Sequence, residues 1–435
     1  MSDLPAFTVH VDQNRHLPLG SREVHAVVSV EASGGSGGAA AHAQAAEVII
    51  IDASGSMHGA KIAAAKRAAK AAVDALRDGV HFAIVAGTDT TQMIYPPQEQ
   101  LVEVSAATRE DAKAAIGRLD AYGGTTMGPW LNLAARMFEP FPQAIKHAIL
   151  LTDGQNHELT STFDRTLAYC AGRFVCDCRG VGTDWNVEEV RKISSALLGT
   201  VDILKPEEME DDFRAMAEAA MGKAVADVAL RVWTPQNATL RFVKQVAPTV
   251  EDLTAKRTES GAQAGDYPTG SWGDEARDYH ICVEVPAGDP GREMRAGWVK
   301  LVAGGAAETV LATGNILAEW TDDEAKSTQL NPRVAHYTGQ VELAAAIQEG
   351  LRARDNNDEH TATARLGRAM QLAEESGNEG TARLLRKVVE VDKESGTARL
   401  KRNVDKEDEM SLNTRSTRTV GIGGRRAAGP GNNAG

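Results

Sequence analysis

Asp52, Ser54 and Ser56 lie within five residues of one another in the run EVIIIDASGSM, residues 47–57. They offer one carboxylate and two hydroxyls, hard oxygen donors with no nitrogen or sulfur among them. Such a set suits Mg²⁺ or Mn²⁺ and is a poor match for zinc. Three oxygens do not fill six coordination positions, so further donors have to come from other loops. Two later stretches can supply them. AYGGTTM, residues 121–127, ends a glycine turn in Thr125 and Thr126, and HAILLTDG, residues 147–154, ends an apolar run in Asp153. Each feature has a plainer reading: Ser54 could only cap a helix and Asp153 could only begin a turn. All of them fall at strand-to-helix junctions, however, and that joint placement favours one shared site.

The elements around these residues fit that placement. Val48, Ile49, Ile50 and Ile51 are β-branched and read as a central strand buried on both faces. Residues 61–77 form an alanine-rich helical stretch with Ile62, Ala65, Ala69, Val73 and Leu76 on one side. A strand ending in an acid, then a small-residue turn and a helix, sets oxygen ligands where open α/β sheets bind ligands. Strands are predicted at 80–86, 92–95, 147–151, 173–181 and 200–204, with helices at 109–119, 127–137, 161–170, 187–197 and 207–221. This alternation is that of a doubly wound, mostly parallel sheet.

The element DASGS at 52–56 resembles the D-x-S-x-S motif of von Willebrand factor type A domains. Thr125 in GGT matches that family's threonine, and Asp153 in LTDG its second aspartate. The resemblance spans roughly residues 45–222. It implies a metal-ion-dependent adhesion site in which Asp52, Ser54, Ser56, Thr125 and Asp153 hold a divalent cation, directly or through water. The open coordination position is then filled by an acidic side chain of a partner protein. All five positions are present, with Thr126 as a spare hydroxyl, so the motif reads as complete. The resemblance is to intracellular bacterial members, some of which assist ATP-driven chaperones or act in stress-response or kinase-signalling systems.

The length of 435 residues suggests two or three domains. Sixty acidic residues against 47 lysines and arginines give a net charge of −13, which disfavours nonspecific nucleic-acid binding. No apolar run reaches transmembrane length, and MSDLPAFTVHVD lacks the basic and apolar regions of a secretory signal. The expectation is a cytoplasmic protein that binds neither membrane nor nucleic acid. Cys170, Cys176, Cys178 and Cys282 are too few and wrongly spaced for a disulfide scaffold or a paired zinc motif. They read as core residues, with Cys176 and Cys178 on one strand face.

Outside the α/β region the apolar period is two. Residues 1–32 contain FTVHV and EVHAVVSVE, followed by a Gly/Ala-rich linker at 33–46. Beyond the α/β domain at 47–222, residues 223–321 hold five strand-like runs separated by Pro, Gly and Asp turns. The fold class expected is therefore an α/β domain inserted in a β-sandwich whose first strands come from residues 7–30. Residues 322–404 read as a helical region, with helices at 341–354, 359–375 and 379–391 and a weak echo of TARL. Residues 405–435 are polar and are expected to be disordered. There Thr414, Thr417 and Thr419 sit beside arginines, where phosphorylation would create a target for a phosphothreonine reader domain.

Two further residues near the site admit alternatives. Trp185 reads as a cover for the sheet end in preference to a binding rim, with Asp184 capping the next helix; His157, between Asn156 and Glu158, reads as solvent-facing. Two functions compete. The first is a noncatalytic, metal-dependent protein-binding scaffold, and the second a Mg²⁺-dependent phosphoester or ester hydrolase. A hydrolase needs an activated nucleophile, a base and an anion clamp. ASGSM is not a G-x-S-x-G elbow, no His or Lys is tied to Ser54 by motif, and no phosphate-binding glycine loop is present.

Overall fold

The computed structural model describes residues 4–35, 43–304, 308–391, 398–401 and 403–421. Its centre is a seven-stranded sheet. Strand Ala45–Asp52 pairs in parallel with His81–Gly87 on one side and Ile145–Thr152 on the other. Val175–Val181 and Val201–Leu204 extend the parallel order outward. At the other edge, Thr91–Tyr95 and Val102–Glu103 both pair antiparallel with His81–Gly87.

Residues of the central strand alternate between two cores, as a strand covered on both faces requires. Ile49 and Ile51 pack with helix Ala60–Ala75 and helix Met209–Met221. Val48 and Ile50 pack with Met127–Phe138, Thr160–Cys170 and Val187–Ala196. Because the chain leaves the central strand for opposite faces on its two sides, the connections diverge above Asp52 and open a crevice there. Gly87 makes one wall possible. A Cβ at that position would lie 2.2 Å from the Trp130 ring, so only glycine lets helix Met127–Phe138 close on the sheet. Cys170, Cys176 and Cys178 are buried in this second core as free thiols.

Two further sheets stand apart from this unit, antiparallel except where His16–Pro18 runs parallel to Thr309–Thr321. The five-stranded sheet joins Ala6–Gln13 and Glu23–Ser33 to Glu275–Glu284, Thr239–Ala247 and Glu251–Asp252. The six-stranded sheet joins the short strand His16–Pro18 to Thr309–Thr321, which continues through Glu293–Ala303, Val225–Trp233, Ala264–Trp272 and Thr258–Gly261. One apolar cluster, including Val28, Tyr279, Ile281, Leu230, Val299 and Ile316, lies between them. The early strands thus find their partners beyond residue 225.

The C-terminal third departs from expectation in three places. After the short helix Glu324–Ser327, the helix expected at 341–354 runs Pro332–Asp355, starting nine residues early. Asn331 caps it by accepting from Arg333 and Val334 N–H groups, and Pro332 sits at its first turn, where a missing N–H costs nothing. The third helix ends at Val388, and the chain turns into strand Val389–Val391, paired with Ala398–Leu400. The last TARL copy therefore supplies a strand instead of a helix. Finally, the expected disorder from residue 405 is corrected for 405–421. Lys406–Arg415 is a helix capped by Asp405, with Met410, Leu412 and Thr414 buried. Low hydropathy misled here because two apolar anchors and one buried acid suffice: Asp202 accepts from Arg415 Nε at 3.0 Å and Arg418 Nη2 at 2.6 Å. Thr414 lies in that contact, and Thr419 Oγ1 donates to the Val246 carbonyl at 2.7 Å, so neither threonine is on a free thread. Thr417 is half-buried, its carbonyl accepting from Val250 N–H. Residues 422–435, most of the linker at 36–42, and 392–397 lie outside the described residues.

Candidate functional site

The five residues singled out from the sequence come together at the carboxyl end of the central strands. Asp52 is fully buried. Its Oδ1 accepts from the Ser54 N–H at 2.8 Å and its Oδ2 from Thr152 Oγ1 at 2.6 Å. Ser54 Oγ lies 3.0 Å from Ser56 Oγ, which in turn donates to Asp153 Oδ1 at 2.6 Å. Thr125 joins from the far loop: a Cβ built on Gly154 would sit 2.8 Å from Thr125 Oγ1 and 3.6 Å from Asp52 Oδ2. Both oxygens therefore crowd the residue after Asp153, and a side chain at 154 would fill the space they share. Asp52, Ser54, Thr125 and Asp153 are buried whereas Ser56 is exposed, so the cluster has one open side.

Backbone hydrogen bonds fix the loops that carry these oxygens. Gly55 N–H donates to the Gly123 carbonyl at 3.0 Å and Tyr122 N–H to the Ala53 carbonyl at 2.7 Å, tying the first loop to the second. Thr126 N–H donates to Thr88 O, and His157 N–H to Thr125 O at 2.9 Å, tying the second to its neighbours. Asn156 Oδ1 then accepts from Met127 N–H, and Glu158 from Gly128 N–H at 2.6 Å. Ser54 makes no side-chain cap to the short helical turn Gly55–Met57, which leaves its hydroxyl for the cluster.

The charge balance is unusual for a buried position. Burial pushes the Asp52 carboxyl above its usual range, with the Asp153 charge adding to that push and the Ser54 and Thr152 hydrogen bonds opposing it. Lys61 Nζ donates to Asp153 Oδ2 at 2.5 Å and lies 3.5 Å from Asp184. Partial burial works against the Lys61 charge, but these two carboxylates outweigh it and hold its pKa above the ordinary lysine value. Two acids and three hydroxyls form an all-oxygen set, which suits a hard divalent cation by number and donor type.

Sequence reasoning missed Thr152 and Lys61. Thr152 stood in the quoted LLTDG run beside Asp153, and Lys61 opened the quoted helix; neither had a partner visible in one dimension. The neighbouring loop also corrects a cap. Asn186, not Asp184, caps helix Val187–Ala196 by accepting from Glu188 and Glu189 N–H groups, while Asp184 faces Lys61. Trp185 is buried against Gly180, with Nε1 donating to Gly182 O at 3.0 Å, so it covers the sheet end. His157 is exposed.

A second ionic cluster occupies the opposite, amino-terminal half of the same strands. His147 Nδ1 lies 2.9 Å from Glu47 Oε1, and its Nε2 lies 3.0 Å from Asp177 Oδ2. Burial opposes a charge on His147, but the two carboxylates prevail and raise its pKa to about 10. Asp177 is held far below the usual carboxylate range despite its burial, by His147 and by Arg179. Burial pushes Glu47 up against the pull of His147.

Comparison with known proteins bears on the whole chain. A family model described as von Willebrand factor type A domain matches residues 46–203, and one described as von Willebrand factor type A C-terminal domain matches residues 371–416. Among solved structures, a von Willebrand factor type A protein from Catenulispora acidiphila is 51% identical, with 96% of this chain and 97% of that chain covered and a TM-score of 0.92. The ArnB paralog VWA2 from Sulfolobus acidocaldarius shares the fold, at a TM-score of 0.60 and 14% identity over 95% of this chain and 98% of that one. An uncharacterized protein of Synechocystis sp. is 26% identical over 215 residues, 48% of this chain and 50% of its own, so the match spans about half the length of that curated relative.

Proposed function

The chain belongs to the von Willebrand factor type A domain family, and on that premise we propose that it is a noncatalytic, metal-dependent protein-binding scaffold. Domains of this family are generally interaction modules. Asp52, Ser54, Ser56, Thr125 and Asp153 would hold Mg²⁺ or Mn²⁺, and the bound ion would supply a Lewis-acidic position for a carboxylate of a partner protein. The observation that carries this reading is the convergence of five oxygen-bearing side chains from three loops, with Ser56 at the single exposed side. The protein's own groups do the positioning: Thr152 and the Ser54 N–H orient Asp52, and Ser56 orients Asp153. Tyr122 and Leu159, exposed by 53% and 76%, stand on two of the loops that meet there and offer apolar contact around a polar centre.

Around this site we read the two mainly antiparallel sheets as one sandwich into which the α/β domain is inserted, followed by a helical region at 322–404. We also read the protein as a cytoplasmic one of intracellular bacterial type. The hydrolase alternative draws no support from the relatives or from the site, where the Ser54 hydroxyl meets Ser56 and the Ser56 proton is directed to Asp153. Among the described residues no helix is long and apolar enough to cross a membrane.

Affinity capture from the native cell, run in Mg²⁺, in EDTA and with Asp52→Ala, tests the proposal. A partner retained only by the wild-type protein in Mg²⁺ is the expected result. The same set of partners in all three conditions would overturn it.

A further inference from the structure

A different donor set lies on the outer face of the five-stranded sheet. Strands Glu23–Ser33 and Glu275–Glu284 pair antiparallel with His25 directly opposite Cys282 and Glu23 opposite Glu284. Side chains directly across two strands stand on the same face. Here that brings together residues 257 positions apart: His25 Nε2 lies 3.8 Å from Cys282 Sγ and 3.8 Å from Glu23 Oε2. One ligand atom from each of the three falls within 4.8 Å of the others.

These separations are close to those of a tetrahedral zinc site. With Zn–S near 2.3 Å and Zn–N and Zn–O near 2.0–2.2 Å, tetrahedral angles put sulfur and nitrogen about 3.5 Å apart and nitrogen and oxygen about 3.4 Å apart. The two distances from His25 Nε2 close by a few tenths of an ångström, and the Glu23–Cys282 separation, within 4.8 Å, closes by about 1 Å at most, by side-chain rotation on a paired sheet that itself need not move. The outer partner is in place as well. His25 Nδ1 lies 3.2 Å from His280 Nε2, and a hydrogen bond donated from Nδ1 leaves the Nε2 lone pair toward Cys282 and Glu23. Phe242 closes one wall, its ring 5.0 Å from that of His280 and edge-on to it. Cys282 and His280 are buried while Glu23 is exposed and His25 half-buried, so the cluster opens to solvent on the Glu23 side.

We propose that Glu23, His25 and Cys282 form a second metal site, selective for Zn²⁺ over Mg²⁺ and separate from the oxygen cluster at Asp52. The thiolate and imidazole make the selection, because Mg²⁺ takes hard oxygen ligands and Zn²⁺ accepts sulfur and nitrogen. Three protein ligands leave a fourth position for water or an incoming group. On binding, the Cys282 thiol loses its proton to solvent and a Zn–S bond forms, with no change in oxidation state. The bound ion clips strand Glu23–Ser33 to Glu275–Glu284, so its binding energy stabilises the junction between early and late parts of the chain.

The test uses the full chain stripped with EDTA, returned to excess Mg²⁺, and titrated with Co²⁺ as a spectroscopic probe. A thiolate-to-cobalt charge-transfer band saturating at one equivalent and bleached by Zn²⁺ is expected. Asp52→Asn should keep the band and Cys282→Ser should lose it. Glu23→Gln, an exposed change that leaves the sheet intact, should weaken Co²⁺ binding at least about tenfold, a loss of the size known for supporting residues of metal sites. Zn²⁺ should also raise the unfolding temperature of the Asp52→Asn protein but not that of Cys282→Ser. If Cys282→Ser fails to fold, Glu23→Gln and His25→Gln decide alone. Absence of the band from the wild-type protein, its survival in Cys282→Ser, or unchanged affinity in Glu23→Gln and His25→Gln would overturn the proposal.

Discussion

Strands Ala45–Asp52 and Ile145–Thr152 carry acidic clusters in both halves, and the two behave in opposite ways. In the amino-terminal half, Glu47 and half-buried Asp177 bracket buried His147, and the three groups meet across adjacent strands. At the carboxyl end, Asp52 and Asp153 are fully buried, yet they meet hydroxyls, the Ser54 backbone N–H and one lysine from the rim. The first arrangement is closed. The second has the same count of two acids and one base, but it lines an open side with carboxylate and hydroxyl oxygens, which is the condition for taking up a hard cation. Position in the sheet accounts for the difference: parallel strands diverge into loops at their carboxyl ends, whereas the His147 triad lies within the paired strands, with Glu47 opposite His147 and Asp177 two positions past the residue opposite it.

The largest expected effect breaks the closed cluster. His147→Gln removes the cation between the buried Glu47 and the half-buried Asp177 carboxylates and should cost about 3 kcal/mol in urea unfolding, the low end of the range for stranding a buried charge. The pH dependence follows from the direction of the shift. His147 is raised from 6.5 to about 10 in the folded chain, so its contribution is complete below the unfolded value. It is lost as pH rises through the folded one. Wild-type stability should therefore fall from pH 7 to 10 by more than that of His147→Gln. Parallel pH profiles for the two proteins would show that the triad does not carry a buried imidazolium.

Next in size is the open cluster. Asp52→Asn keeps an acceptor for the Ser54 N–H, turns an amide N–H toward Thr152 Oγ1, which can accept it, and relieves a charge that burial disfavours, so the metal-free protein should lose little stability. The metal-linked part should vanish: at a Mg²⁺ concentration of about a hundred times Kd, the wild-type protein should gain about 2.7 kcal/mol and the variant nothing. Equal Mg²⁺-induced shifts in unfolding temperature for the two proteins would erase the distinction between the two clusters.

How much of this was legible in the sequence depends on the range of the interaction. Asp52, Ser54 and Ser56 declare themselves within five residues, and Thr125 and Asp153 each follow a recognisable strand or glycine turn. The doubly wound order was legible for the same reason, since alternating apolar runs are local. His147 and Glu47 were quoted only as strand residues, because their meeting depends on register between strands 100 positions apart. Cys282 was read as ordinary core for an analogous reason: its opposite number, His25, stands 257 residues away. The C-terminal differences have another origin. The helix expected from 341 leaves out Pro332 although proline at a first turn is a start signal, and the disorder expected beyond 405 rests on composition, which counts hydrophobicity without the Asp202 contacts to Arg415 and Arg418.

The smallest expected effect sharpens the comparison, because it concerns the one residue that makes the open cluster resemble the closed one. Lys61 places an ammonium 2.5 Å from Asp153 Oδ2, much as His147 sits against Asp177. It differs in reach and exposure, being a long, half-buried side chain at the rim that can swing into solvent. If it acts as a displaceable counter-charge, a divalent cation binds against it, and Lys61→Gln should tighten Mg²⁺ binding by about two- to tenfold. That is well below the gross attraction of two unit charges, because solvent screens the rim. Calorimetric titration of both proteins with Mg²⁺ measures the difference. Loss of Mg²⁺ binding in Lys61→Gln would instead make the lysine a fixed support for Asp153, and the carboxyl-end cluster would then be built on the same closed plan as the triad at the other end.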